Sequence, residues 1–344
     1  MLVLGGLKMR LGKTDLEVNK NGFGALPIQR CTMAESIEIL KKAYENGIDF
    51  YDTAHFYTDS EEKMGNAFED IDRDTLYLAS KTAAETPEDF WSDLETSLKS
   101  LKTDYLDLYQ FHNISFTPKE DDELFKAMME AKENGQVNHI GLTTHKITFA
   151  YEAIESGLYE TLQYPFSYLS GEEEIRLVEK CKSLDVGFIA MKAMGGGLIK
   201  NSKASFAFLN QFDNVLPIWG IQSIKELDEF LSYDANTVLT DELKQAIEND
   251  KKELGEEFCR GCGYCMPCPE GIKINTCARM SLWIRRFPTE PHLTEEWQKT
   301  MKDTENCIEC YACIDNCPYE LDIPKLLKEN YEDYLKVLNG EIKL

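Results

Sequence analysis

Residues 47–68 read GIDFYDTAHFYTDSEEKMGNAF. An apolar run, residues 48–52, ends in the carboxylate of Asp52. A polar loop carrying Tyr57 follows, then an amphipathic pattern over 61–69 that predicts a helix. This is one strand–loop–helix unit with a charged group at the strand's C-terminal end. Outward from it the same unit recurs. Strands are predicted at 23–28, 76–81, 106–112, 137–142, 161–164, 187–191 and 215–220. They are nearly continuous apolar runs, as expected of strands covered on both faces. Helices are predicted between them at 34–46, 87–101, 121–134, 148–156, 172–183, 202–210 and 225–232. Thr86-Pro87 reads as a helix start; Asn46-Gly47, Asn134-Gly135 and Ser156-Gly157 read as stops. Eight repeats predict an α/β fold, a closed (β/α)8 TIM barrel. The alternative is an open doubly wound sheet, and the absence of GxGxxG after the first strand counts against it. Residues 1–20 read as a short hairpin or extended lead-in.

From about residue 240 the pattern changes. A charged helix is predicted at 241–254, after which cysteine, glycine and proline dominate, and the tail from Lys325 to Leu344 is predicted to be helical and to pack back on one of the domains. The expected domains are therefore 1–240, the barrel, and 241–344, a small α-rich ferredoxin-like unit. The chain has 37 Lys+Arg against 61 Asp+Glu, a formal net charge of −24. Nucleic acids and anionic membranes select basic surfaces, so neither is expected as a partner. No apolar run is long enough to span a bilayer, and the N-terminus does not read as a signal peptide, so a cytoplasmic location is expected. Eight of the eleven cysteines crowd into two short runs, a pattern that disulfides explain poorly in that compartment.

In a barrel enzyme the catalytic groups lie at the C-terminal ends of the strands. Those ends supply Asp52, with Tyr57 just beyond it, then Lys81 and His112. Each has an ordinary alternative: a loop cap, a rim aromatic, a surface cation, a satisfied core histidine. Together they suit protonation of an oxygen as hydride reaches the adjacent carbon. Tyr57 is the acid. The ammonium of Lys81 is expected to lower its pKa, Asp52 to orient Lys81, and His112 to hydrogen-bond the substrate oxygen. His55, Phe56, Asn113, Phe116, Phe166 and Tyr168 are candidate pocket residues, with packing as the alternative for several.

The quoted stretch resembles the signature of the aldo-keto reductase family. So do the lead-in MRLGKTDLEV, IGLTTHK after the fifth strand, Gln163, AMKAMGGG and PIWGIQS, together covering about residues 8–232. The resemblance implies that Asp52, Tyr57, Lys81 and His112 form a catalytic tetrad working with NAD(P)H on a small carbonyl or its alcohol. It places Thr143, Thr144 and Gln163 near the nicotinamide carboxamide, Gly195, Gly196 and Gly197 near the pyrophosphate, and Gly220, Gln222 and Ser223 by the adenosine. Met191 stands where other members stack an aromatic ring, and Lys192 beside it is a candidate phosphate ligand. Glu226 stands near the ribose, where NADP-preferring members often carry arginine, which tilts the expectation to NADH.

The cysteine runs are Cys259-x2-Cys262-x2-Cys265-x2-Cys268-Pro269 and Cys307-x2-Cys310-x2-Cys313-x3-Cys317-Pro318. The second matches the bacterial ferredoxin pattern, in which three cysteines wrap one 4Fe–4S cluster and the fourth ligates the other. This assigns Cys259, Cys262, Cys265 and Cys317 to one cluster and Cys307, Cys310, Cys313 and Cys268 to the second. Cys268 follows a spacing one residue short. Zinc is the alternative, but its sites pair two CxxC units around one ion. Cys31, Cys181 and Cys277 read as small hydrophobes. This half resembles dicluster ferredoxins, and the barrel-then-ferredoxin order resembles a subgroup of the aldo-keto reductases. Clusters move single electrons whereas nicotinamide moves a hydride, and no flavin motif joins the two. Three functions stay open: hydride transfer with clusters that serve electron transfer or structure; a ferredoxin-linked reductase without obligatory nicotinamide; and a non-catalytic electron-transfer subunit. A ferredoxin or another redox protein is the candidate protein partner.

Overall fold

The computed structural model describes residues 8–112, 116–234, 236–255, 257–286 and 288–343. A hairpin of β1 (Lys8–Arg10) and β2 (Glu17–Asn19) precedes eight parallel strands: β3 (Gly22–Gly24), β4 (Phe50–Asp52), β5 (Tyr77–Thr82), β6 (Leu106–His112), β7 (Val137–Thr143), β8 (Thr161–Pro165), β9 (Gly187–Met191) and β10 (Val215–Gly220). They pair in sequence order, and β10 closes on β3 to complete a barrel. The helices between them are α1 (Met33–Glu45), α2 (Ser60–Phe68), α3 (Pro87–Leu101), α4 (Glu123–Glu133), α5 (Ile147–Ser156), α6 (Glu172–Ser183), α7 (Ser202–Leu209) and α8 (Ile224–Leu231). The first strand is shorter than expected. Pro27 opens a 3-10 turn, Pro27–Arg30, just beyond it, because proline has no N–H to donate to a ladder.

Alternation along the strands sorts the side chains. Tyr51, Leu78, Tyr109, Phe111, Ile140, Leu142, Leu162, Tyr164, Phe188, Ala190 and Trp219 join the large core that also contains the helices' apolar faces. Phe50, Ala79, Leu108, Ile189, Met191, Leu216 and Ile218 form a separate cluster with Met9, Leu11, Leu16 and Val18 of the hairpin segment. Successive residues of a strand face opposite ways. The inner face therefore carries Asp52 after Phe50, Lys81 after Ala79, and Gln110 and His112 after Leu108. The barrel is a packed core with its charged inner-face groups, Asp52 and Lys81, at the C-terminal ends of their strands. Space inside is tight: a Cβ on Gly141 would fall 2.3 Å from Thr161 Oγ1. Outside, Gly65 lets α2 approach α3, since a Cβ there would fall 2.1 Å from the carbonyl oxygen of Ser100.

The chain divides into two compact units, Met1–Met194 with Asn201–Leu243, and Gly195–Lys200 with Lys244–Leu344. α9 (Asp241–Leu254) begins in the first unit and, from Lys244, leads into the cysteine-rich segment of the second, which carries the short helices α10 (Ile274–Cys277), α11 (Met280–Arg286), α12 (Glu295–Lys302) and α13 (Ala312–Asp315). The final helix, α14 (Ile323–Leu338), buries Ile323, Leu327, Tyr334 and Val337 against Ile274, Cys277, Met280, Ile284 and Met301. Its Asn330 accepts from the N–H of Ser281 at 2.8 Å and donates to the carbonyl of Ala278 at 3.3 Å. The tail thus belongs to the core of this unit.

Candidate active site and cysteine clusters

At the C-terminal end of β5 the ammonium of Lys81 lies 2.6 Å from Asp52 Oδ2 and 2.5 Å from the carbonyl of Thr53. Both side chains are shut off from solvent, at 0% and 3% exposure. Gln110 Nε2 donates to Asp52 Oδ1 at 3.3 Å and Gln163 Nε2 to Oδ2 at 3.4 Å. Burial pulls Lys81 down and Asp52 up from their ordinary pKa values, while their attraction and hydrogen bond oppose both shifts. A buried ionic pair of this kind persists only with its remaining lone pairs engaged, which is what the two glutamines provide.

Tyr57 and His112 complete the group. Lys81 Nζ is 5.2 Å from the centroid of the Tyr57 ring. The Tyr57 and His112 rings meet edge to face at 5.7 Å. The four side chains singled out from sequence therefore converge on one end of one barrel. The expected depression of the Tyr57 pKa is not what the structure shows. Burial, and then the charge of Asp52, raise it well above the phenol's ordinary value. His112 is pushed down to about 3, by burial and then by the Lys81 charge. Near neutrality Tyr57 is a protonated phenol and His112 a neutral imidazole.

Register carries the site sideways. His112 pairs with Thr143, and Thr143 with Gln163. Thr143, Thr144 and Gln163 are all buried. Gln163 Oε1 and His112 Nδ1 are buried and have no hydrogen-bond partner, a cost that a bound polar group would relieve. Met191 ends β9 within the inner apolar cluster, and Lys192 follows it at φ 56°. After β10, Gln222 donates its N–H to Glu226 Oε2 at 2.8 Å, and Ser223 accepts the N–H of Glu226 at 3.2 Å. Ser223 thus caps α8, and Glu226 holds the N–H of Gln222 just before the cap. A Cβ on Gly220 would touch Pro27 at 3.0 Å.

Sequence reading passed over Gln110 and Arg30. Gln110 lies two residues before His112, the spacing that puts both on the inner face, and this was the available signal. Arg30 donates to Gln222 Oε1 at 3.3 Å, a contact across 192 residues that no local pattern announces. Of the loop candidates, Phe166 and Tyr168 are core residues, at 1% and 0% exposure, with Phe166 packed on Phe188, Phe208 and Phe212. Phe56 and Phe116 are exposed. His55 pairs with Asp93 at 3.2 Å. Asn113 lies outside the described residues.

In the second unit the glycine run, Gly195–Gly197, takes φ values of 59°, 65° and 91°, a conformation glycine adopts at little cost. Arg279 donates to the carbonyl of Gly196 at 2.7 Å, and Arg286 to that of Leu198. The thiols fall into two groups. Burial and then Cys259, Cys262 and Cys317 push the Cys265 thiol up to about 12. Cys259 is raised by burial, with Cys262 and Cys317 also acting on it. Cys313 is raised by burial, with Cys307, Cys310 and Cys268 as its thiol neighbours. Cys268, despite its short spacing, sits with the second run. Among the described residues no three His, Cys, Asp or Glu side chains converge on a single-ion position. Two groups of four soft thiol donors suit iron–sulfur ligation by the chemistry of the donor set. A Cβ on Gly261, in the first run, would fall 2.2 Å from Arg279 Nη1. Cys181 and Cys277 are buried in apolar cores, and Cys31 donates to the carbonyl of Gln222 at 3.1 Å.

The pattern described as the Aldo/keto reductase family matches residues 20–215. The chain belongs to the aldo-keto reductase family. A second pattern, the 4Fe-4S dicluster domain, matches residues 258–322 of this aldo-keto reductase. Among curated relatives it is 27% identical to probable aldo-keto reductase 1 of Glycine max over 55% of this chain and 60% of that relative. It is 30% identical to the uncharacterized oxidoreductase YrpG of Bacillus subtilis over 55% of this chain and 67% of YrpG. The chain spans about 60% of the length of the first of these relatives. Among solved structures, aldo-keto reductase AKR11C1 of Bacillus halodurans shares the fold at a TM-score of 0.63 and 21% identity, over 71% of this chain and 95% of that one. The chain thus joins an aldo-keto reductase barrel to a region that matches a 4Fe-4S dicluster domain. Among its described residues no helix is long and apolar enough to cross a membrane.

Proposed function

We propose that the barrel catalyses hydride transfer between a nicotinamide nucleotide and the carbonyl carbon of a small substrate, with Tyr57 as general acid for reduction and base for oxidation. The observation that carries this reading is the sealed Lys81–Asp52 pair with the Tyr57 and His112 rings beside it. Nicotinamide, when bound, supplies or accepts the hydride. The chain's own groups do the rest. Tyr57 holds the proton that the substrate oxygen needs. As that proton leaves, the Lys81 ammonium favours the developing phenolate. Neutral His112 donates an N–H to the substrate oxygen and fixes its orientation. Gln163 Oε1, buried without a partner, accepts from the carboxamide, with Thr143 and Thr144 beside it. Gly195, Gly196, Gly197 and Lys192 are the proposed pyrophosphate contacts; Gly220, Gln222 and Ser223 are those of the adenosine.

Glu226 is proposed to disfavour a 2′-phosphate, giving preference to NADH. Arg30, on the other side of Gln222, is the opposing cation. Glu226→Gln keeps an acceptor for the Gln222 N–H and removes the charge. The expected result is a rise of about tenfold in kcat/KM for NADPH relative to NADH, as one charge contact of ~1.4 kcal/mol implies. An unchanged ratio would remove Glu226 from the specificity argument.

The second unit is proposed to hold two 4Fe–4S clusters, one on Cys259, Cys262, Cys265 and Cys317, the other on Cys307, Cys310, Cys313 and Cys268. Such clusters, when bound, carry single electrons. The thiols, all free among the described residues, suit the reducing cytoplasm, the proposed location. A second reading, a ferredoxin-linked reductase with nicotinamide absent or secondary, is favoured by one observation: Met191 supplies no aromatic ring. Anaerobic purification with iron and sulfide analysis, followed by NADH and NADPH titration, separates the two. Selective nucleotide binding supports hydride transfer. No nucleotide binding, with turnover from a reduced one-electron protein, supports the alternative.

A further inference from the structure

The two cysteine runs differ in charge and exposure. Between residues 257 and 286 lie five arginines and lysines, Arg260, Lys273, Arg279, Arg285 and Arg286, against two carboxylates. Cys259 is buried there, with the Arg279 charge acting on its thiol. Between 305 and 322 lie five carboxylates, Glu305, Glu309, Asp315, Glu320 and Asp322, and no lysine or arginine. All five are exposed. Cys310, in the middle of this run, is an exposed cysteine, whereas its neighbours in both runs are partly or fully covered. On either side of it Ile308 and Tyr311 stand open to solvent at 62% and 51%. They are the large hydrophobic side chains exposed in the second unit among the described residues.

We propose that the loop Cys307–Cys317, with Ile308 and Tyr311 at its centre and Glu305, Glu309, Asp315, Glu320 and Asp322 around them, is the docking face for a basic one-electron carrier protein. The inference rests on the reading of this run as a cluster ligand loop. The loop's own backbone presents the face. Glu309 and Tyr311 adopt φ values of 51° and 62°, a left-handed conformation that a bulky side chain enters only when the surroundings hold it there. Tyr311 Oη donates to Glu309 Oε2 at 3.2 Å, fixing an apolar ring beside a carboxylate. An apolar centre with a charged rim is the anatomy of a protein interface. Small, wet, transient contacts are typical of redox encounters, and a rim of one sign steers the encounter and chooses the sign of the partner. In the first run Arg279 and Arg286 are buried, and Arg285 and Arg286 are paired with Asp333, Asp250 and Glu253, so the open, single-sign face belongs to the second run. A carrier seated here stands over Cys310.

The test uses the iron-loaded full chain and cytochrome c, a basic one-electron carrier, with affinity measured by titration calorimetry at low and moderate salt. The triple variant Glu309→Gln, Asp315→Asn, Glu320→Gln and the single variant Ile308→Ser are compared with a control variant. The control neutralises three exposed carboxylates of α6: Glu172→Gln, Glu173→Gln and Glu179→Gln. The docking face predicts at least tenfold weaker binding for the triple variant, severalfold weaker for Ile308→Ser, and loss of affinity with salt for the wild type. The control keeps wild-type affinity. Equal effects of the loop and control variants would show a general attraction to an acidic chain and overturn the proposal. Iron content is measured first. A chain that takes up no iron refutes the cluster reading, whereas an iron-loaded chain insensitive to the loop substitutions refutes the docking face alone.

Discussion

Lys81 and Asp52, 29 residues apart in sequence, meet at 2.6 Å inside the barrel with neither side chain reachable by water. Their contact ties β5 to β4 at the layer where Tyr57 and His112 gather. Removing one partner leaves the other as an uncompensated buried charge, at a cost of about 3–5 kcal/mol. Lys81→Met and Asp52→Asn should each lower the midpoint of thermal unfolding. The double variant should be less destabilised than the sum of the two. Each single variant should also lose about 10²–10⁴-fold in carbonyl reduction, the range of a lost acid–base function. A double-mutant cycle on stability, run beside steady-state kinetics, checks both. Additive stabilities would mean that the pair is not coupled.

The pH dependence of stability follows from three shifted groups. Burial and Lys81 hold His112 at about 3, below its unfolded value of about 6.5. Glu160 is brought down to about 2: burial opposes this, but His139, Lys132 and the N–H of Ile140 outweigh it. In both cases the unfolded chain binds protons more readily, so stability is complete at higher pH and is lost on acidification. The windows are about 6.5 down to 3 for His112 and about 4.3 down to 2 for Glu160. His139 has the opposite sign. Burial lowers its pKa, but hydrogen bonds to Glu160 and Asp15 leave it raised overall. Its contribution is complete below about pH 6.5 and is lost as pH rises through the folded value. Urea unfolding from pH 3 to 9 should show Glu160→Gln losing up to about 3 kcal/mol at neutral pH and converging on the wild type in acid. A constant difference across that range would contradict the linkage.

The cysteine grouping makes a separable prediction. Cys317 ends the second run in sequence but neighbours Cys259 and Cys265 in the fold. Cys317→Ala should disturb the cluster held by the first run and spare the other. Iron analysis should fall by up to about four per chain, with one of two reduced-state paramagnetic signals lost. Loss of the signal that Cys310→Ala also removes would show that the assignment is reversed.

How far the sequence carried the fold is visible in particular residues. Strand period and helix caps locate the βα units because burial on both faces and orphan N–H groups leave local marks, as at Thr86-Pro87. The strand expected at 23–28 is instead Gly22–Gly24, because the apolar run continues into residues that Pro27 turns into a 3-10 turn. Asp52, Lys81 and His112 were legible because strand ends in a barrel share a mouth. Electrostatics was not. The sign of the Tyr57 shift depends on burial and on the charge of Asp52, which no motif encodes. The roles of Gln110 on Asp52 and Arg30 on Gln222 depend on register and loop path across distant strands. Phe166 and Tyr168 were ambiguous for the same reason: an aromatic in a loop packs or lines a pocket according to where the chain turns.

The central claim, that Tyr57 and its neighbours serve hydride transfer from nicotinamide, is tested most directly by isotope transfer. The iron-loaded chain is mixed anaerobically with nicotinamide nucleotide deuterated at the transferring position and a panel of small aldehydes and ketones. The products are then read by mass spectrometry. The account predicts one deuterium at the carbinol carbon of at least one product, with the rate falling at least about 10²-fold in Tyr57→Phe. Reduced product that carries no deuterium, formed at an unchanged rate by Tyr57→Phe, would contradict it.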